Sequence, residues 1–334
     1  NIARVDYTNN ASGQLLLEGQ RTNLFLNSEP TAAEGASSNV SYAAFAWDIG
    51  FTNCVRYDGT TAYRYGATVS ATTVCTISFF VRMDDLSEPM VGVGVGNDFR
   101  TVIGNVQLGT AVIDKVNLGN GIWRIKATET SSSASLSNNG VRVLGNSGKA
   151  FRIVGWQIEE ATYGTSYIPT SGTTVTRIQD ASSTTGLSSV IGQTEGVLYA
   201  KIASFTNTSP ISSVINISDG SASNQIAIWY GTNLNEFKIL IRQSGNKLFH
   251  TTTLTDATQF IKVAVLYKSG GSKVYINGSL ITSSTTTFTF TNPLSVVDFV
   301  GIGLGNADFN GKLQELQLFP SALTDTELAT LTTL

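Results

Sequence analysis

The chain has little of the chemistry from which most enzymes and nucleic-acid binders are built. It holds one histidine, His250, and two cysteines, Cys54 and Cys75, in 334 residues. A zinc site of several His or Cys ligands cannot be assembled from that stock, and a Ser-His-Asp relay would have to pass through a single imidazole. Two cysteines cannot form a disulfide framework like that of small secreted domains, so each is expected to pack as a small apolar side chain. Charged residues make up 13% of the chain, against roughly 25% in an average soluble protein. The formal net charge is -3, with 21 basic and 24 acidic residues scattered rather than clustered. No basic stripe is therefore expected, and nucleic acid is not an expected partner. No run nears the roughly 18 apolar residues of a membrane helix, so no membrane insertion is expected. The opening "NIARVDYTNN" is no signal peptide, and its start at Asn leads us to expect a fragment or processed product.

What is abundant is Gly, Ser, Thr and Asn between short β-branched and aromatic runs, the pattern of strands joined by turns. In "VCTISFFVRM", 74 to 83, Cys75, Ile77, Phe79, Val81 and Met83 alternate with Thr76, Ser78, Phe80 and Arg82, a half-buried strand. "GIWRIKATET" and "KAFRIVGWQIEE" read the same way. After a stretch rich in Ser, Thr and Gly, a fresh set of strands begins at "EGVLYAKIASF" and recurs about every 10 to 15 residues, as in a sandwich. Gly270-Gly271 and Asn277-Gly278 read as tight hairpin turns. "LTDTELATL" supplies a capping box, Thr324 and Glu327, for one short helix. The expected fold class is all-β, two tandem antiparallel β-sandwich (jelly-roll) domains. The expected boundaries are 1–170 for the first, 171–194 for a linker and 195–334 for the second.

Glu159 and Glu160 are neighbours on one strand, so they should face opposite ways and cannot flank one glycosidic bond, whose acid and base sit about 5 to 9 Å apart across a cleft. "VGVGVGN", 91 to 97, lacks the βαβ setting of a phosphate-cradling loop. A sugar-stacking ring must be open to solvent, where it offers an apolar platform. Trp47, Trp156, Trp229 and Tyr230 are the candidates for ligand contact. Trp156 has a competing reading as core, while Trp229 and Tyr230, being adjacent, should place one ring inside and one outside, with Tyr230 preferred as the contact.

"FIKVAVLYKSGGSKVYINGSLI" followed by "VGIGLGNADFNGKLQELQLFPSALTDTEL" resembles the concanavalin A-like, laminin-G-type sandwich over roughly 195 to 334. "EGQRTNL" and "TSYIPT…VTR", in that order, resemble phrases that flank carbohydrate-binding-like jelly-roll modules of phage tail and surface proteins. The resemblance implies a virion-surface or extracellular location and a non-catalytic role in recognising cell-surface polysaccharide. Ca²⁺ is a plausible cofactor on that basis, with Asp219, Asn306 and Asp308 as candidate ligands. Two alternatives stay open: a structural protein whose sandwiches meet other virion subunits or form a homo-oligomer, and a polysaccharide-cleaving enzyme. Against the hydrolase version, "KLQELQLF" offers one acid, Glu315, where that fold's hydrolases need a pair. A lyase using a Tyr base with Arg support stays open.

Overall fold

The computed structural model describes residues 4–7, 12–30, 40–58, 62–65, 69–70, 73–92, 96–103, 106–107, 112–130, 141–145, 148–207, 213–304 and 308–334. These are almost wholly antiparallel strands, with one α-helix, Asp325–Thr332. The all-β class follows from the alternation: Cys75, Ile77, Phe79, Val81 and Met83 all enter one core, while Phe80 joins a cluster on the opposite face. Both cysteines are free and buried, and burial pushes each thiol up to about 11.

Two compact units divide the chain, and the division differs from a plain succession. Residues Gln20–Ile178 form one unit; Asn1–Gly19 and Gln179–Leu334 form the other. Residues 1–19 leave the first module because Gln14–Leu17 pairs with the late strand Gly311–Phe319, Leu15 lying opposite Leu313. Asp180 and Glu18 then close the chain ends of that unit. The Asp180 N–H donates to the Glu18 carbonyl at 3.0 Å, the Glu18 N–H donates to the Asp180 carboxylate at 2.8 Å, and Arg4 pairs with both carboxylates. The stretch read as a linker also contributes strands, Val175–Arg177 against Arg21–Asn23 and Ser183–Thr184 against Val296–Asp298.

In the 20–178 unit, a six-stranded sheet runs Val112–Gly119, Ile122–Thr130, Val74–Met83, Phe151–Glu159, Asn53–Tyr57, Val40–Ala44. A four-stranded sheet accompanies it, and Phe99 from that sheet packs at 4.8 Å on Phe151. Strand Phe151–Glu159 changes phase midway. Val154 pairs with Phe80 but Gln157 with Ser78, so one extra residue bulges out. Gly155 supplies the bend with φ of 66°. Ile153, Trp156 and Ile158 therefore enter one core, while Val154 joins the cluster on the other face.

In the other unit, a seven-stranded sheet and a six-stranded sheet enclose a core of Leu198, Ile215, Ile228, Tyr230, Ile239 and Val263, among others. Asn277 and Gly278 both take positive φ, 50° and 82°, which turns Ser272–Ile276 back into Ser279–Ser284. The expected capping box is present: Glu327 N–H donates to the Thr324 hydroxyl at 3.3 Å and Thr324 N–H to the Glu327 carboxylate at 2.7 Å.

Candidate functional site

The two outer faces of the second sandwich differ. On the seven-stranded sheet, Val197, Tyr199, Ala264, Leu266 and Tyr275 are covered by the C-terminal helix through Leu328. On the six-stranded sheet, the outward residues follow from the register. Asn216, Ala227, Leu240 and Phe249 form one row across four strands, and Val214, Trp229, Lys238 and Thr251 form the next. Val214, Ala227, Trp229 and Leu240 make a small buried cluster, with the partly buried Leu304 packed against it. Phe249 stands at its margin, 53% exposed, with its ring 6.1 Å from that of Trp229. This is an aromatic platform backed by a second aromatic ring.

Polar groups surround it. Lys238 is held by Glu236 at 3.2 Å, Thr251 is exposed, and Arg242 donates to the Asn246 amide oxygen at 3.2 Å. Burial works against the Glu236 charge, but hydrogen bonds from Asn233 and the Lys238 ammonium outweigh it and hold the carboxyl below its usual range. A carboxylate kept charged in this way is a poor general acid. On the far side, segment 300–304 is tied down by Asn216, donating to the Val300 carbonyl at 2.8 Å, and by Gln225, donating to the Ile302 carbonyl at 3.3 Å. Gly303, at φ of 65°, makes that approach feasible, since a Cβ there would lie 2.5 Å from Ala222 Cβ.

The aromatic residues chosen from sequence are not platforms. Trp156 is fully buried, ringed by Phe25 and Phe79. Trp47 is 4% exposed, with its indole N–H donating to the Asn53 carbonyl at 2.8 Å and Phe45 against its ring. Tyr230 is 2% exposed in the sandwich core, where burial drives its hydroxyl well above the ordinary tyrosine range. Trp229 and Tyr230 do face opposite ways, but both are covered, Trp229 at 7% exposure by its neighbours on the outer face. The residue the sequence reading missed is Phe249. Its signal is present in "NKLFHTTT": Leu248 takes the core position, so the next ring falls on a face otherwise occupied by threonine.

The acid pair also resolves. Glu159 is buried, accepting from the Gln157 amide and the Thr165 N–H, both at 2.8 Å, and from the Thr165 hydroxyl at 2.5 Å. Glu160 is exposed beside a groove of about 300 Å³ lined by Gln20, Arg21, Thr22 and Leu24. Glu315 accepts from the Tyr199 hydroxyl at 3.0 Å, and burial together with that carboxylate raises the Tyr199 pKa, the wrong direction for a lyase base.

The calcium candidates fare differently from one another. Asp219 closes a turn: one oxygen accepts from Ser221 N–H and hydroxyl at 2.9 and 2.6 Å, the other from Asn224 and Asn292 amides at 2.7 and 3.0 Å. Both carboxylate oxygens of Asp219 are thus engaged by protein donors. Asp308 is partly buried, and burial raises its pKa. Asn306, like residues 93–95 of "VGVGVGN", lies outside the described residues. No group of three or more His, Cys, Asp or Glu that could hold a metal occurs among the described residues.

Among solved structures, the chain is similar to the carbohydrate-binding module CBM40 of a Ruminococcus gnavus IT-sialidase bound to α2,3-sialyllactose. The match has TM-score 0.37 and 16% identity, covering 46% of this chain and 97% of that one. It is also similar to the NanB sialidase of Streptococcus pneumoniae (TM-score 0.37, 16% identity, 46% of this chain, 26% of that one). A third is a heptameric SAP-like pentraxin of Limulus polyphemus (TM-score 0.33, 16% identity, 41% and 68%). No curated protein matches the chain. The family described as the concanavalin A-like lectin/glucanases superfamily matches residues 198–329, the segment that carries the Phe249 face. Those residues, in an almost wholly β chain, form a domain similar to the lectins and glucanases of that superfamily.

Proposed function

We propose that the chain binds a cell-surface glycan without cleaving it, through the outer face of the six-stranded sheet in the 179–334 unit. The observation that carries this reading is Phe249, an exposed ring on a polar face, backed by Trp229 and flanked by Lys238, Thr251 and Arg242. An apolar ring offers the C–H face of a sugar a platform, and the surrounding donors and acceptors fix its hydroxyls. The match of this segment to a superfamily containing lectins supports the reading. Its non-catalytic part draws on Glu236, whose carboxylate is held charged by Asn233 and Lys238 and so is a poor general acid. The placement on a virion or other extracellular surface draws on the "EGQRTNL" and "TSYIPT" phrases.

The test is a screen of the purified chain on an array of bacterial polysaccharides and glycans, with calcium and again with chelator. Saturable binding to one polymer class with no loss of the immobilised glycan is expected. Time-dependent loss of glycan would mean cleavage, and silence across the array would remove the reading. The assembly alternative draws on the same exposed Phe249 and predicts that Phe249→Ala lowers the solution mass of the protein while leaving glycan binding absent.

A further inference from the structure

The basic residues look scattered along the chain, yet strand pairing gathers three of them. Arg82 lies directly opposite Arg152, and Arg152 directly opposite Arg56, so three arginines form one row across three adjacent strands of the 20–178 unit. Their neighbours Val81, Met83, Phe151, Ile153, Val55 and Tyr57 face the core, which puts the arginines on the outer face. Like charges directly opposite one another destabilise a sheet. One carboxylate answers them: Asp84 pairs with Arg56 and with Arg152. Arg82 has no carboxylate partner among the described residues. Its Nε donates to the Asn120 carbonyl at 3.3 Å, and its guanidinium lies 5.2 Å from the Phe45 ring centre. Arg152 lies 4.9 Å from the same ring, so Phe45 holds both forks in place. The other acids nearby are engaged, Asp48 by the Asn120 amide at 2.6 Å and Asp85 by Ser87 and Lys149.

We propose that this arginine row is a second binding site, for an acidic polysaccharide bearing carboxylates of the uronic-acid type. The row crosses strands about 4.8 Å apart, and three guanidinium groups set against the single Asp84 carboxylate leave an excess of positive charge along a line of roughly 10 Å. An extended polyanion can follow such a line, and a guanidinium fork fits a carboxylate with two parallel hydrogen bonds. Ser41, exposed beside Arg56, adds a hydroxyl at the end of the row. The site lies in a different unit from Phe249, so it stands or falls separately from the reading above.

The experiment titrates the full chain with polygalacturonate, neutral dextran and a single-stranded oligonucleotide at low and high salt. Arg82→Gln and Arg56→Gln test the row, and Lys262→Gln, on the seven-stranded sheet of the other unit and outside both proposed sites, controls for loss of one charge. Binding of polygalacturonate that weakens with salt is expected, since exposed charges are screened. Either row variant should lose roughly tenfold in affinity, the scale of one hydrogen-bonded charge. Lys262→Gln should leave that affinity unchanged, and each variant's melting temperature reports whether it folds. Equal binding of dextran, equal or tighter binding of the oligonucleotide, or row variants indistinguishable from Lys262→Gln would overturn the assignment.

Discussion

Gly155 sets the phase of the strand that carries Trp156, and its replacement by alanine should destabilise the 20–178 unit by about 2–5 kcal/mol. The first contribution is backbone: at φ of 66°, an L side chain costs about 1–2 kcal/mol. The second is packing: a Cβ there would stand 2.6 Å from Phe80 Cδ2 and 3.0 Å from Phe51 Cζ, both in the outer-face apolar cluster. Forcing an extra methyl into such a cluster costs about 1–3 kcal/mol. Gly50→Ala separates the two effects, because Gly50 also has positive φ, 95°, but nothing within 4 Å of the added carbon. Scanning calorimetry should show the Gly155→Ala transition lowered by about 4–20 °C and the Gly50→Ala transition by less, at about 2–4 °C per kcal/mol for a unit of this size. Equal shifts for both variants would refute the packing argument, and an unshifted Gly155→Ala would refute the bulge itself.

Two further perturbations test the second sandwich. The Tyr230 hydroxyl is buried with no hydrogen-bond partner among the described residues, so Tyr230→Phe should be neutral or stabilising by about 1 kcal/mol in denaturant titration. A loss above about 1 kcal/mol would instead reveal a partner for that hydroxyl. Asp219 titrates below its ordinary value because hydrogen bonds from Ser221, Asn224 and Asn292 outweigh the opposing effect of burial. Its stabilisation is present above the unfolded pKa of about 3.9 and is lost as pH falls through the lower folded value. The stability difference between the wild-type chain and Asp219→Asn should therefore shrink below about pH 4, and a gap that stays constant down to about pH 2.5 would contradict this.

The fold was legible where the information is local. Period-two alternation placed Cys75 through Met83 correctly on their face, Asn277-Gly278 announced its hairpin, and Thr324 with Glu327 announced the helix. The partition was not legible, because the pairing of Gln14–Leu17 with Gly311–Phe319 joins residues about 300 apart in sequence and leaves no local trace. The aromatic candidates failed for a related reason. Adjacent strand residues face opposite ways, but the outer face of a sheet can itself be covered, as Leu304 and Phe249 cover Trp229. The arginine row was hidden because Arg56, Arg82 and Arg152 meet only through register. In the acid pair, alternation separated the two carboxylates, yet nothing local indicated that Glu159 would be buried and tied to Thr165.

The most direct test of the central claim is the dissociation constant of the wild-type chain and of Phe249→Ala for the glycan selected on the array, measured by titration calorimetry. Fully burying a phenylalanine is worth about 1.5–3 kcal/mol. With Phe249 53% exposed before binding, the part left to bury is about 0.8–1.6 kcal/mol. The account predicts a Kd weakened roughly 4- to 15-fold, with an unchanged melting temperature. An unchanged Kd in a folded Phe249→Ala protein would place the glycan elsewhere and contradict the claim.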